Sequence, residues 1–260
     1  MYAFSTRFGV SRRPSRVGSS PRSASSFLIR SCIVLFYIST PAAAQSPDAS
    51  YADRANLASA RRAAQSWTAA LAADPRDFEG AWKLARADYW LGGHAPEAER
   101  RLFLDQGIDA AKKAIALQVN RSEGHFWTAA NMGALAESFG LRQGLKYRKA
   151  IKDELETVLR IDPLFQNASA DRALGRWYFK VPRLFGGSHT LAEQHLRASL
   201  QHGDSSASHF FLAELLLDDG RKEEARTELQ RVLDAPLDPD WTPEDQEFKQ
   251  KARGLLARLK

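Results

Sequence analysis

The chain has 260 residues, and its 37 lysines and arginines outnumber 31 acids to give a formal net charge of +6. Such an excess invites a polyanion-binding reading, but residues 1–44 hold six arginines and no acid, so from Gln45 onward the charges balance at 31 each. Nothing in the overall charge of the body therefore asks for a polyanion, and no nucleic-acid partner is expected. The single cysteine, Cys32, lies in the same leader, so a body from Gln45 has no thiol for disulfides, nucleophilic catalysis or thiolate-bound metal.

Ser31 to Ile38 is a short apolar run, preceded by arginines and followed by Ala42-Ala43-Ala44. That layout predicts a secretory signal peptide over 1–44, cut after Ala44, and a periplasmic or otherwise exported product. The long arginine- and serine-rich stretch before the run also suits an organellar transit peptide. The run falls short of the ~20 residues that span a bilayer, and the mature chain offers no transmembrane segment. Ile29-Arg30-Ser31 before Cys32 does not make a lipobox, so no lipid anchor is expected.

Residues 45–54 are expected to be a flexible mature N-terminus. From 55 to 240, apolar positions recur at three and four residues, and nothing alternates as a strand would. Breakers near 75, 120, 163, 203 and 236 are spaced 45, 43, 40 and 33 apart, each interval fitting a helix pair and the last close to a tetratricopeptide repeat. The expected fold is all-α, a right-handed superhelical array of antiparallel helix pairs. Small residues at Ala85, Gly133, Gly175 and Ala213 are expected to let neighbouring helices approach. A charged segment over 241–260, opened by Thr242 as N-cap and Pro243, is expected to form the terminal capping helix.

The order Trp127-Thr-Ala-Ala-Asn-Met-Gly133, Gly140-Leu-Arg-Gln-Gly-Leu-Lys-Tyr147, Ile161-Asp-Pro163 and Pro182-Arg-Leu-Phe-Gly-Gly-Ser188 resembles the T component family of tripartite ATP-independent periplasmic (TRAP) transporters. The regulator of microtubule dynamics family is the second resemblance. The first implies a non-catalytic accessory to solute uptake, with a TRAP solute-binding protein among its partners. A general tetratricopeptide adaptor in envelope assembly or secretion is the alternative, and the oligomeric state stays open.

No catalytic motif is present, and no cofactor or metal is expected; His195 and His202 could share a helix face but fit solvent or packing roles better. Gly186-Gly187 before Ser188 reads as a turn leading into a helix cap, Ser188 or Thr190 with Glu193. In tetratricopeptide arrays the inner groove is lined by first-helix positions i, i+4 and i+7. Aligned on the small residues, these are Trp82, Arg86 and Tyr89; Ala130, Ala134 and Glu137; Arg172, Arg176 and Phe179; and Phe210, Glu214 and Leu217, with Lys180 beside Phe179. An aromatic surface with three arginines suits a small organic anion or a peptide with an apolar body. The opposing reading pairs the arginines with Glu137 and Glu214. Asn131, polar on an apolar helix, either orients a ligand or bonds a neighbouring helix. Arg142, Lys146 and Lys149 share one helix face, either open to an acidic partner or lipid headgroups, or simply solvated.

Overall fold

The computed structural model describes residues 45–259. The expected leader and its cleavage site after Ala44 lie outside the described residues.

The described chain is helical throughout: α1 (Pro47–Ala52), α2 (Leu57–Ala73), α3 (Phe78–His94), α4 (Glu97–Leu117), α5 (Ser122–Ser138), α6 (Leu141–Ile161), α7 (Phe165–Lys180), α8 (His189–Leu200), α9 (Ser206–Asp218), α10 (Lys222–Asp234) and α11 (Thr242–Arg258). Successive helices pack as antiparallel pairs, α3 with α4, α5 with α6, α7 with α8 and α9 with α10. The first helices of successive pairs also touch one another, α3 to α5 to α7 to α9, and α11 continues that row by packing on α9. The result is a tetratricopeptide-type α-solenoid whose inner row is α3, α5, α7, α9 and α11.

Local chemistry sets the helix boundaries. Asn56, Asp77 and Ser188 each accept a bond from a first-turn backbone N–H, at 3.0, 2.9 and 3.3 Å, supplying partners that the helix cannot. Ser188 thus caps α8, and Thr190 lies inside that helix. The glycines before it close the turn: a Cβ at Gly187 would lie 1.7 Å from the Val181 carbonyl oxygen. Thr242 is not the cap of α11. It sits at the first helical position behind Trp241, its hydroxyl spent on the Asp238 carbonyl at 2.8 Å.

The small residues divide into two kinds. Ala85 and Ala213 are fully buried, and a Cβ at Gly175 would meet Leu196 at 2.6 Å, so these three do allow close packing. Gly133 has nothing within 4 Å of where its Cβ would be, so its expected packing role is corrected. Close approach is instead made by glycines that periodicity did not single out, Gly92 against Leu104 and Gly107 against Asn131.

The N-terminal expectation also needs correction. The stretch read as flexible forms α1 and the turn after it, with Tyr51 6% and Arg54 2% exposed. Burying Tyr51 against Trp67 offsets the entropy of ordering this short helix. One apolar core runs from Ala85 to Ala252 through the whole inner row, with smaller clusters under α1, α2 and α3.

Candidate functional site

The inner row, with α6, lines a partly open cavity of about 1240 Å³. Its wall is largely apolar, with Phe126 and Trp127 from α5, Leu155 from α6, Phe210 and Phe211 from α9 and Phe248 from α11. Two links join the first repeat to the last helix. Arg54 Nε donates to Glu244 at 2.9 Å, and His94 Nε2 lies 2.6 Å from Glu247.

Four helical glycines line this space: Gly93, Gly133, Gly144 and Gly254. None would place a Cβ within 4 Å of any neighbouring atom. A glycine inside a helix costs about 1 kcal/mol relative to alanine, and here no packing contact offsets it. What these positions provide is room.

Several residues expected in the groove do line the cavity: Tyr89, Glu137, Arg172, Arg176 and Lys180, with Ala130, Ala134, Phe210 and Glu214. Arg176 is already matched, since its guanidinium makes two bonds to Glu137, at 2.6 and 2.8 Å, and one to Glu214 at 2.9 Å. It also lies 4.3 Å over the Phe211 ring. Burial opposes its charge, but the two carboxylates win and raise its pKa. Lys180 adds a longer contact to Glu214 at 3.9 Å. This part of the surface is balanced, as the opposing reading required.

Arg172 differs. Among the described residues no carboxylate lies within 4.0 Å of it, and its one side-chain bond is a long 3.5 Å contact to Ser205. Burial pulls its pKa down to about 10, only partly opposed by Tyr89 and Asp245. It is therefore still a cation at neutral pH. It lines a largely apolar cavity with no carboxylate in direct contact, and an anion placed against it would relieve the cost of its burial.

The remaining groove candidates are elsewhere. Arg86 stacks 4.0 Å from the Tyr51 ring and 5.0 Å from Trp82, with Asp48 at 3.8 Å. Helix α1 covers this stretch of α3, so Trp82 and Arg86 are part of a packed contact and not of the cavity wall. Phe179 packs edge-on to His189 at 5.5 Å, toward α8, and Leu217 is packed against the core. Asn131 is fully buried and donates to the carbonyls of Ala85 at 3.1 Å and Trp127 at 2.8 Å. The bond to Ala85 ties α5 to α3, so the neighbouring-helix alternative is the one observed.

Of the basic face, Arg142, Lys146 and Lys149 all stand exposed on α6, and Lys149 pairs with Asp153 at 2.5 Å. His195 bonds Asp171 at 2.7 Å and stacks on Tyr178, which explains its place without a metal. Among the described residues, a His/Asp/Asp group with ligand-like spacing does occur at His189, Asp218 and Asp219. Both ring nitrogens of His189 face carboxylates, at 2.6 and 3.7 Å, so the imidazole bridges Asp219 and Asp218 directly.

Sequence reasoning missed the ring closure, because Arg54–Glu244 and His94–Glu247 join residues 190 and 153 apart. It also missed the open-faced glycines, which the period alone cannot tell from packing glycines.

Comparison with known proteins matches the second of the two family resemblances. The family model for regulator of microtubule dynamics protein 1-3 matches residues 48–193, from α1 to the start of α8. Regulator of microtubule dynamics protein 3 of Bos taurus is 26% identical over 192 residues, covering 67% of this chain and 40% of the relative. The Xenopus laevis protein of the same name is 26% identical over 184 residues, covering 64% and 39%. The chain thus spans about two fifths of the length of these relatives. Among solved structures, a thermophilic TPR protein of Thermus thermophilus superposes with a TM-score of 0.59 at 22% identity, over 79% of this chain and 94% of that one. These matches lend no support to the TRAP T component resemblance. The chain belongs to the regulator of microtubule dynamics protein 1-3 family.

Proposed function

We propose that this protein is a non-catalytic binding scaffold whose central cavity takes an anionic ligand with an apolar body. The observation that carries this is Arg172, a cation without a carboxylate partner among the described residues, facing an aromatic-lined space of about 1240 Å³. A carboxylate or a similar anionic group meets the guanidinium in a two-point contact, and the rest of the molecule lies against Phe126, Phe210 and Phe248. The four glycines support the same reading, because each forgoes helix stability where a side chain would shrink the cavity. Partner segments would meet the same concave inner row, the surface that helical-repeat arrays use for binding. Exported localisation stays part of the proposal on the strength of the leader alone.

The test uses 8-anilinonaphthalene-1-sulfonate, an apolar anion whose emission rises on burial. Native chain should bind it with saturation, and Arg172→Gln should weaken binding by about tenfold, the size of one charge-assisted contact. Arg86→Gln should leave binding unchanged. Equal affinity in the native and Arg172→Gln chains would remove the basis for this function.

A further inference from the structure

At the margin of the cavity, the chain carries a surface that its packing does not explain. Between α7 and α8 a three-residue 3-10 turn, Arg183–Phe185, exposes Leu184 to 87% and Phe185 to 37%. Leu184 is the most exposed of the large hydrophobic residues described. The turn is held firmly. Gly187 N–H donates to the Pro182 carbonyl at 3.2 Å, and Ser188 N–H donates to the Tyr178 carbonyl at 2.9 Å. A Cβ at Gly187 has no space, so the tight loop is built into the sequence. Leu184 is therefore displayed at no further ordering cost.

The same edge is basic. Residues 139–152 and 172–192 contain no aspartate or glutamate. Arg148 joins the two segments: its guanidinium lies 5.6 Å from the Phe185 ring, and its carbonyl accepts from Trp177 Nε1 at 2.9 Å. Half of the arginines among the described residues have a carboxylate within 4.0 Å. At the turn, Arg148 and Arg183 have none among the described residues, while neighbouring Lys149 and Lys152 are paired within their own helix.

We infer that this edge docks on an anionic lipid surface, with Leu184 and Phe185 entering the headgroup boundary and the unpaired cations meeting the headgroups. One feature selects a bilayer over an acidic protein segment. Leu184 stands 87% exposed on a tight turn, so it buries itself only by entering another phase. An amphipathic boundary with cations around an apolar wedge takes both at once. This surface is independent of the cavity proposal, since it needs no ligand at Arg172.

The experiment uses the full chain, whose leader contributes its own arginines and apolar run to every variant. An environment-sensitive nitrobenzoxadiazole label is placed by Leu184→Cys in a Cys32→Ser background, and a control label by Glu223→Cys on α10. With vesicles of phosphatidylcholine and phosphatidylserine, the label at 184 should shift to the blue and brighten while that at 223 stays in water. Phosphatidylcholine alone should give no response. Arg148→Glu/Arg183→Glu should weaken the response at least about tenfold, two headgroup attractions having become repulsions. Sedimentation with vesicles while the label at 184 stays silent would assign binding to another segment and overturn the inference. Absence of vesicle binding, or a response at 184 to poly-glutamate but not to vesicles, would overturn it as well.

Discussion

Arg54, in the turn after the first helix, donates to the carboxylate of Glu244 in the last, with Nε–Oε1 at 2.9 Å, and its second terminal nitrogen donates to the Asp240 carbonyl at 2.7 Å. Tyr51 and Trp90 flank the guanidinium at 4.8 and 5.4 Å. A solenoid built from local helix contacts has no intrinsic need for its ends to meet. Here one buried charge pair joins them, and the cavity lies inside the closure.

Breaking that pair should cost much more than a surface ion pair. Burial holds Glu244 above the ordinary carboxylate range even with Arg54 beside it. Arg54→Met would leave that carboxylate buried without its cation, and a loss of about 3 kcal/mol in unfolding free energy is expected. Urea denaturation followed by circular dichroism checks it. A loss below about 1 kcal/mol would mean that the ends are not joined in solution.

Two glycines on facing helices should respond to the same substitution with opposite sign. Gly107→Ala places a Cβ 2.3 Å from the side-chain oxygen of buried Asn131. It should destabilise by roughly 1–3 kcal/mol through overpacking. Gly133→Ala meets nothing and should stabilise by about 0.5–1 kcal/mol. Gly133→Phe should keep the fold, by circular dichroism, while reducing binding of the anionic dye at least about tenfold, because the ring occupies the cavity.

Asp88 should make the protein lose stability as pH rises. It is 2% exposed, one carboxylate oxygen has no partner among the described residues, and burial pushes its pKa up from 3.8 to about 8. Between those values the unfolded chain releases the proton and the folded chain keeps it. Stability is thus full below about pH 4 and falls until about pH 8. Asp88→Asn keeps the shape and removes the titration. It should gain roughly 2 kcal/mol or more at pH 8 and flatten the pH profile of the urea midpoint.

Two histidines at matching places in their repeats add a second pH dependence of the same sign. His209 lies between Glu228, at 2.5 Å, and Asp204, at 2.6 Å, which together raise its pKa although burial opposes the charge. His125 is raised chiefly by its bond to Glu154 at 2.5 Å, against a smaller opposing burial effect. Their stabilisation is complete below the ordinary value of about 6.5 and is lost as pH rises through the raised folded values. In His125→Gln/His209→Gln the decline of thermal midpoint above neutral pH should be shallower. An identical slope would show that the two imidazoles are neutral in the folded chain.

Most of the architecture is legible in the sequence because a solenoid is made of local contacts. The breakers at 75, 120, 163, 203 and 236 fall just beyond α2, α4, α6, α8 and α10. Helical period and caps suffice for this, since each pair packs mainly on its neighbours. The groove register was also readable: position i+4 in the third pair gives Arg176, and its expected partners Glu137 and Glu214 are the ones it meets.

Tertiary structure decided which candidates face open space. Arg86 and Arg172 are both groove positions in the sequence register, yet α1 folds over Arg86 and supplies Tyr51 and Asp48, while among the described residues no carboxylate lies within 4.0 Å of Arg172. Gly107 and Gly133 are likewise both helical glycines, separated only by whether a buried asparagine or a cavity lies opposite. The sequence by itself determined a charge-balanced helical body with the basic excess confined to residues 1–44, the repeat boundaries and the residues offered to the inner row. Closure of the ring and the cavity within it came from contacts across 190 residues, and the lack of a carboxylate beside Arg172 from tertiary packing, which no local pattern encodes.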